Sequence, residues 1–306
     1  MTNINRRLRA VATGQLGLLS RQQAKGVGIS DAQLRNRVSS GSLLQVGVDT
    51  FRFPEAPSGS AADLRALLFD VGGDAWVSGP TAAALHGFDG FRLAPPFHVT
   101  IERGRSVQRV GHHIHTTARL ELIDRAEIDG MAVTSAARTL IDLARSETVE
   151  RLTVAFDSGL RDGRFNESLL HRRIVALRTR GRHGIPRLIE AIEGAETVRG
   201  GHSWLERESL RLVAAAGLPR PDPQQVLARA GGRVVRVDFR FPGTPVVVEV
   251  LGYRYHRTPD QLRRDAERMN ALVAAGLRPY QFAYEHVVQS PDRVVAETRA
   301  ALAAWT

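Results

Sequence analysis

The segment RVDFRFPGTPVVVEVLGYRYH, residues 236–256, places one acidic residue in each of two short apolar strands. Asp238 and Glu249 are separated by a turn at residues 242–245 that contains two prolines and a glycine. An antiparallel pairing of the strands brings both carboxylates to the same end of a sheet. We therefore predict a β-hairpin that carries two neighbouring acids.

Two carboxylates at this spacing suit a hard divalent cation. Mg²⁺ typically takes one or two carboxylates together with waters and phosphate oxygens, and it polarises a phosphodiester and activates water. Glu249 also stands in an apolar run, residues 246–251, where an unpaired charge is costly. The pattern predicts Mg²⁺ or Mn²⁺ ligands at Asp238 and Glu249. The alternative is that either acid is an ordinary solvent-facing strand residue.

The segments on either side add further polar residues. Upstream, SWLERESLRLVAAAGLPRP at 203–221 has a helical pattern with Glu206 in its first turn. Downstream, His256 follows the second strand, and a predicted helix over residues 259–275 carries Asp265 and Arg268.

This order of acidic helix, Asp strand, Glu strand, His and Asp/Arg helix resembles the Vsr-like branch of the PD-(D/E)XK endonucleases over residues 200–306. The resemblance implies a restriction-endonuclease-like α/β/α domain with a mixed sheet. It makes Asp238 and Glu249 the metal ligands, and it makes Glu206 a helper acid beside the metal-bound water. His256 becomes the proton donor or acceptor, and Asp265 and Arg268 become second-sphere or phosphate-side groups.

The chain departs from that family at one position. Leu251 stands two residues after Glu249, where the wider superfamily has lysine and the Vsr-like branch often has aspartate. The chain's single lysine, Lys25, is far away in sequence. Either His256 and an arginine replace the missing charge, or the site is degenerate.

Positive charge is concentrated at the two ends of the chain. The formal net charge is +10, and 41 of the 42 basic residues are arginine. Residues 1–53 carry a net charge of +6 and residues 201–306 a net charge of +4, whereas residues 54–200 balance. Because contacts to phosphates supply most nonspecific affinity for nucleic acid, this distribution predicts DNA-facing modules at both ends.

The N-terminal residues predict a helix-turn-helix. A first helix is expected over residues 6–15, and Ser20 and Ser30 stand where they cap two further helices. LLQVGVDTFRF at 43–53 then predicts a small hairpin of the kind that forms a wing. On the third helix, four outward side chains suit base edges and phosphates: Gln33, Arg35, Asn36 and Arg37.

Residues 1–170 resemble the AbiEi family of antitoxins. Beyond the helix-turn-helix, the resemblance depends on SGPTAAALHGF at 78–88 and VTSAARTLIDLA at 133–144. It implies a winged helix that binds promoter DNA and represses its own operon, with a cognate toxin as a second partner.

We therefore expect an α+β multidomain protein with a winged helix-turn-helix at 1–55, a middle α/β domain at 60–198 and a nuclease-like domain at 200–306. No segment has the roughly 20 apolar residues needed to span a bilayer, so we expect a cytoplasmic bacterial protein without a membrane partner. Two functions remain open: a Mg²⁺-dependent DNA endonuclease, or a DNA-binding antitoxin and regulator with a degenerate nuclease fold.

Overall fold

The computed structural model describes residues 3–118, 120–178, 184–199, 203–230, 233–252 and 259–305. These residues have a mixed α+β architecture with three sheets. In this part of the chain, no helix combines the length and the apolar character needed to cross a bilayer. The chain divides into two compact units. The N-terminal unit comprises Met1–Leu143 with Val154–Arg164, and the C-terminal unit comprises Ala144–Thr153 with Phe165–Thr306.

The first part of the N-terminal unit consists of short helices and a small sheet. Its elements are α1 (Asn3–Ala12), β1 (Leu18–Ser20), α2 (Arg21–Gly26), α3 (Asp31–Ser39), β2 (Leu44–Gln45) and β3 (Thr50–Arg52). Strand β3 lies between β1 and β2 and is antiparallel to both. The hairpin predicted over residues 43–53 is therefore present, whereas the first helix starts and ends three residues earlier than expected.

Side-chain caps and ion pairs fix the ends of α2 and α3. Ser20 and Ser30 each form a capping box with the glutamine three residues later, which satisfies backbone donors at both helix starts. The Lys25 ammonium lies 2.8 Å from an Asp31 carboxylate oxygen, and the Lys25 side chain stays half exposed. Leu34 of α3 is buried against the core, as the sequence pattern predicts.

The rest of the N-terminal unit is built on a five-stranded sheet. Its elements are α4 (Ser60–Val71), β4 (Ala75–Val77), α5 (Gly79–His86), β5 (His98–Glu102), β6 (His113–Thr117), a 3₁₀ turn (Leu122–Asp124), β7 (Arg125–Ile128), β8 (Met131–Thr134), α6 (Ala136–Leu143) and part of α7 (Val149–Arg161). The strand order is β6-β5-β4-β8-β7. The two segments quoted for the antitoxin resemblance meet here, because the buried His86 ring nitrogen Nε2 lies 2.7 Å from the Thr134 carbonyl oxygen.

The C-terminal unit has a four-stranded mixed sheet. Its elements after α7 are α8 (Glu167–Leu177), α9 (Ile185–Arg199), α10 (Trp204–Ala215), β9 (Asp222–Ala230), β10 (Arg233–Arg240), β11 (Val246–Leu251), α11 (Pro259–Ala274), β12 (Arg278–Ala283), α12 (Tyr284–Gln289) and α13 (Pro291–Ala303). The strand order is β12-β11-β10-β9, with β9, β10 and β11 antiparallel in sequence and β12 parallel to β11.

The compact units divide earlier in the chain than the expected boundary near residue 200. Helices α8 and α9 belong to the C-terminal unit, because Val175 of α8 packs in one core with Trp204 and Phe282. The Glu196 carboxylate of α9 also accepts a hydrogen bond from the Trp204 backbone N–H at 2.5 Å. Likewise, Leu18 shares a core cluster with Ala62 and Ala66 of α4, which keeps residues 1–55 within the N-terminal unit.

Candidate active site

The β10–β11 hairpin brings Asp238 and Glu249 to adjacent positions on neighbouring strands. Phe239 pairs with Val248 in the antiparallel register, and Asp238 and Glu249 are the next residues on either strand. One Asp238 carboxylate oxygen accepts a hydrogen bond from the Val250 backbone N–H at 2.9 Å. The structure thus contains the predicted hairpin with its two acids side by side.

Glu249 is a buried carboxylate with two side-chain partners. Its side chain is 1% exposed, and Arg268 Nη2 of α11 lies 2.7 Å from Oε1. Gln281, its neighbour on the parallel strand β12, donates from Nε2 to Oε2 at 3.0 Å. The Arg268 contact is an ion pair without good hydrogen-bond angles, so Oε1 itself accepts no hydrogen bond. Arg268 Nη2 donates instead to the Arg236 carbonyl oxygen at 2.5 Å.

Asp238 holds its proton more tightly than an ordinary aspartate. Burial raises the pKa of Asp238 to about 6, and the negative charges of Glu206 and Glu249 raise it further, against the opposing effects of the Val250 N–H and Arg268. Two neighbouring carboxylates therefore repel the charge of Asp238, and Arg268 opposes them. A cation placed among them would relieve this repulsion.

Glu206 has a structural role in addition to its place beside the other acids. Its carboxylate accepts from the Ser203 backbone N–H at 3.2 Å, and the Ser203 hydroxyl accepts from the Glu206 N–H, which forms a capping box at the start of α10. Gln224 of β9 donates to its other carboxylate oxygen at 2.9 Å. These bonds fix the position of the carboxylate close enough to Asp238 to affect its ionisation.

The residues present fit a divalent ion that takes most of its ligands from water and phosphate. Within the described ranges, no three His, Asp or Glu side chains are grouped so that they hold an ion by themselves. Mg²⁺ requires only one or two protein carboxylates, and Asp238 and Glu249 could supply those. The raised pKa of Asp238 fits a cation at this point, and Glu249 Oε1, which accepts no hydrogen bond, already faces the positive charge of Arg268.

Two other sequence expectations concern the same region. His256, the expected proton donor or acceptor, lies outside the described residues. Leu251 ends β11 as a half-buried apolar side chain, so the position that carries lysine in the wider superfamily brings no charge here. Arg268 reaches Glu249 from α11 and supplies the positive charge from a different element.

The four predicted DNA-binding residues of α3 differ in their exposure and in their hydrogen bonds. Arg35 and Asn36 are exposed. The Gln33 amide oxygen accepts from the Ser30 backbone N–H at 2.9 Å in the capping box. Arg37 is half-buried and donates to the Asn5 side chain of α1 at 3.1 Å. Gln33 is exposed like Arg35 and Asn36 while it caps the start of α3, whereas Arg37 connects α3 to α1.

Sequence reasoning did not identify an aromatic cluster in the C-terminal unit. The His171 ring stacks on Trp204 with centroids 3.8 Å apart, and its Nδ1 shares a hydrogen bond with the Tyr284 hydroxyl. Burial lowers the pKa of His171 to about 3, so the ring is neutral. The three residues belong to three helices that are distant in sequence, and a lone histidine in a helical pattern gave no signal of this contact.

Comparison with known proteins gives distant relatives. No family model matches the chain. The uncharacterized proteins Rv2248 and MT2308 of Mycobacterium tuberculosis are each 28% identical to it over 276 residues, which cover 86% of this chain and 94% of theirs. The crystal structure of the RV2827C protein from the same species aligns with a TM-score of 0.33 and 14% identity, over 64% of this chain and 83% of that one.

Proposed function

We propose that the protein is a Mg²⁺- or Mn²⁺-dependent DNA endonuclease whose N-terminal helices bind DNA. The observation that carries this proposal is the group of acids on the β10–β11 hairpin. Glu249 is buried, its Oε1 is ion-paired with Arg268 at 2.7 Å without accepting a hydrogen bond, and Asp238 beside it has a pKa raised to about 6. Residues with strongly perturbed ionisation at a cluster of polar groups are candidates for chemistry.

The order of elements in the C-terminal unit supports the same assignment. An acidic helix, α10, precedes three antiparallel strands, and α11 then leads to a fourth strand parallel to the third. This mixed sheet agrees with the restriction-endonuclease-like domain that the resemblance to Vsr-like nucleases implies. The acids occupy the second and third strands, where that resemblance locates the metal ligands.

Each residue has a chemical task in this proposal. Asp238 and Glu249 would hold the divalent ion, which when bound polarises the phosphodiester and lowers the pKa of water. Glu206, fixed by its cap and by Gln224, would orient the attacking water. Arg268, which is partly exposed, would face the negatively charged phosphate.

The N-terminal unit would supply DNA affinity. Residues 1–53 carry a net charge of +6, and Arg35 and Asn36 are exposed on a helix capped by Ser30. The small β2–β3 hairpin follows this helix as a wing would. Contacts of these side chains to phosphates and base edges would recruit the nuclease to its substrate.

A second candidate is a DNA-binding antitoxin or autorepressor with an inactive nuclease fold and a toxin as partner. Two observations favour it: Leu251 brings no charge to the site, and Arg268 already neutralises Glu249. In this case the acids would be structural, and the C-terminal unit would serve as a binding platform.

Cleavage of supercoiled plasmid tests the choice between the two. We expect cleavage with Mg²⁺ or Mn²⁺, none with EDTA, and background activity for Asp238→Asn. Asp260→Asn is the matched control, because it removes an exposed acid at the start of α11. Identical results for wild type and Asp238→Asn would contradict the nuclease, and a gel shift with the protein's own upstream DNA would then test the regulator.

A further inference from the structure

Arg268 stands at the point where a cation would have to approach Glu249. Its Nη2 lies 2.7 Å from Oε1, and Gln281 already donates to Oε2. A divalent ion bound to Oε1 would therefore lie within a few ångströms of the guanidinium. Two cations at that distance repel each other strongly where water is largely excluded, and Glu249 is 1% exposed.

The other contacts of Arg268 allow it to leave. Its side chain is 35% exposed, so one side of the guanidinium already faces solvent. Its second partner is the carbonyl oxygen of Arg236, a neutral acceptor on β10. A phosphate is a stronger partner for a guanidinium than a carbonyl oxygen, because it accepts two parallel charge-assisted hydrogen bonds.

We propose that Arg268 competes with the divalent ion for Glu249, and that a DNA phosphate draws Arg268 away when substrate binds. In the protein without DNA, the arginine neutralises the buried carboxylate and disfavours metal binding. When DNA is present, the guanidinium moves to the phosphate and the carboxylate becomes available. Metal binding is then coupled to DNA binding. An enzyme that has no DNA bound carries little metal, which limits unwanted hydrolysis. This inference rests on the proposed nuclease function.

Calorimetric titration of the full chain with MnCl₂, without DNA, tests the competition directly. We expect Arg268→Gln to bind Mn²⁺ at least roughly tenfold more tightly than wild type, a factor typical of an allosteric coupling. Arg264→Gln is the matched control, because it removes an exposed arginine one turn earlier on the same helix, where its Nε donates to the Asp260 carbonyl oxygen. This control should bind Mn²⁺ as wild type does. Equal Mn²⁺ affinity for Arg268→Gln and wild type would overturn the inference.

A second measurement can be made on the wild-type protein, without a substitution at Arg268. The affinity of wild type for a short DNA duplex, followed by fluorescence anisotropy, should increase on addition of Mn²⁺, since linkage between two ligands is reciprocal. The increase should be several-fold larger in wild type than in Arg268→Gln, whose site is already open. An absence of coupling in wild type would overturn the inference even if Arg268→Gln does not fold.

The outcomes separate this inference from the proposed function. Mn²⁺ binding that is lost in Asp238→Asn, together with cleavage, supports the nuclease whatever Arg268 does. If wild type cleaves DNA and Arg268→Gln binds Mn²⁺ no more tightly, only the competition is wrong. If neither wild type nor Arg268→Gln binds Mn²⁺, both proposals are wrong.

Discussion

A buried carboxylate is paired with an arginine in each unit, and the two pairs differ in the exposure of the arginine. In the N-terminal unit, Asp124 and Arg138 are 1% and 3% exposed, and Arg138 also donates to Asp142 of the same helix at 2.9 Å. In the C-terminal unit Glu249 is equally buried, whereas Arg268 is 35% exposed. The environment of the acid is therefore similar, but only one of the two arginines has access to solvent.

We call Asp124–Arg138 the closed pair, because both side chains are buried. We call Asp238, Glu249 and Arg268 the open site, because its arginine has access to solvent and could exchange its partner. Arg138 cannot exchange its partner without disturbing the core around it, and removing one member of a buried pair leaves an uncompensated charge. Arg268 can turn toward water or phosphate while Glu249 stays in place. The exposure of the arginine, more than the burial of the acid, indicates which carboxylate is available to a ligand.

The largest expected effect comes from breaking the closed pair. Arg138→Gln should destabilise the N-terminal unit by about 3–5 kcal/mol, because Asp124 stays buried without its positive partner. Urea denaturation followed by circular dichroism measures this loss, with the exposed Arg103→Gln as a control in the same unit. A loss of less than about 1 kcal/mol, the usual value of a surface pair, would contradict the interpretation of Asp124–Arg138 as a buried structural pair.

Removing the charge of Asp238 from the open site should raise the stability of the fold instead of lowering it. The pKa of Asp238 is about 6 in the fold and 3.8 in an exposed aspartate, so its ionisation opposes folding as pH rises from about 4 to above 6. At pH 8 without metal, Asp238→Asn should therefore be more stable than wild type, by on the order of 3 kcal/mol.

The difference between Asp238→Asn and wild type should become small near pH 4, where Asp238 is protonated in the folded chain and about half protonated in the unfolded chain. Denaturation series at pH 4, 6 and 8 measure it. Asp124→Asn is the counterpart in the closed pair, and it should lose stability at pH 8. An Asp238→Asn protein that is less stable than wild type at pH 8 would mean that the acids of the open site stabilise the fold.

The smallest effect is expected for an arginine outside both pairs. Arg35 is exposed on α3, so Arg35→Gln should change stability by less than about 0.5 kcal/mol. If it contacts a phosphate, the slope of log affinity against log salt for DNA should decrease by about 1. Fluorescence anisotropy at several salt concentrations checks this, and an unchanged slope would exclude Arg35 from the DNA interface. Arg37→Gln is the useful contrast, because its bond to Asn5 makes a loss of stability the expected result.

Local signals in the sequence predicted the elements of the site well. Ser20 and Ser30 marked the starts of two helices, because a hydroxyl followed three residues later by Gln satisfies free backbone donors. The proline- and glycine-containing turn at 242–245 set the register that joins Asp238 and Glu249. These features depend on residues close together in the chain.

Contacts between distant residues were beyond the sequence pattern. Gln281 lies next to Glu249 only because β12 pairs in parallel with β11. The sequence pattern predicted Glu249 but not its partner Gln281. We expected a domain boundary near residue 200 because the helical periodicity breaks there. Val175 and His171 pack across that break onto Trp204, and a single sequence contains no information on which apolar faces meet.

The pairing of the chain's one lysine with Asp31 has a practical consequence. Lys25 is half exposed beside α3, and all other basic side chains are arginine or histidine. An amine-reactive fluorophore should therefore attach at Lys25 and the terminal amine alone. After the terminal amine is blocked, the dye becomes a single-site reporter ten residues before Arg35 in the sequence, and its emission should respond when a nucleic acid covers α3.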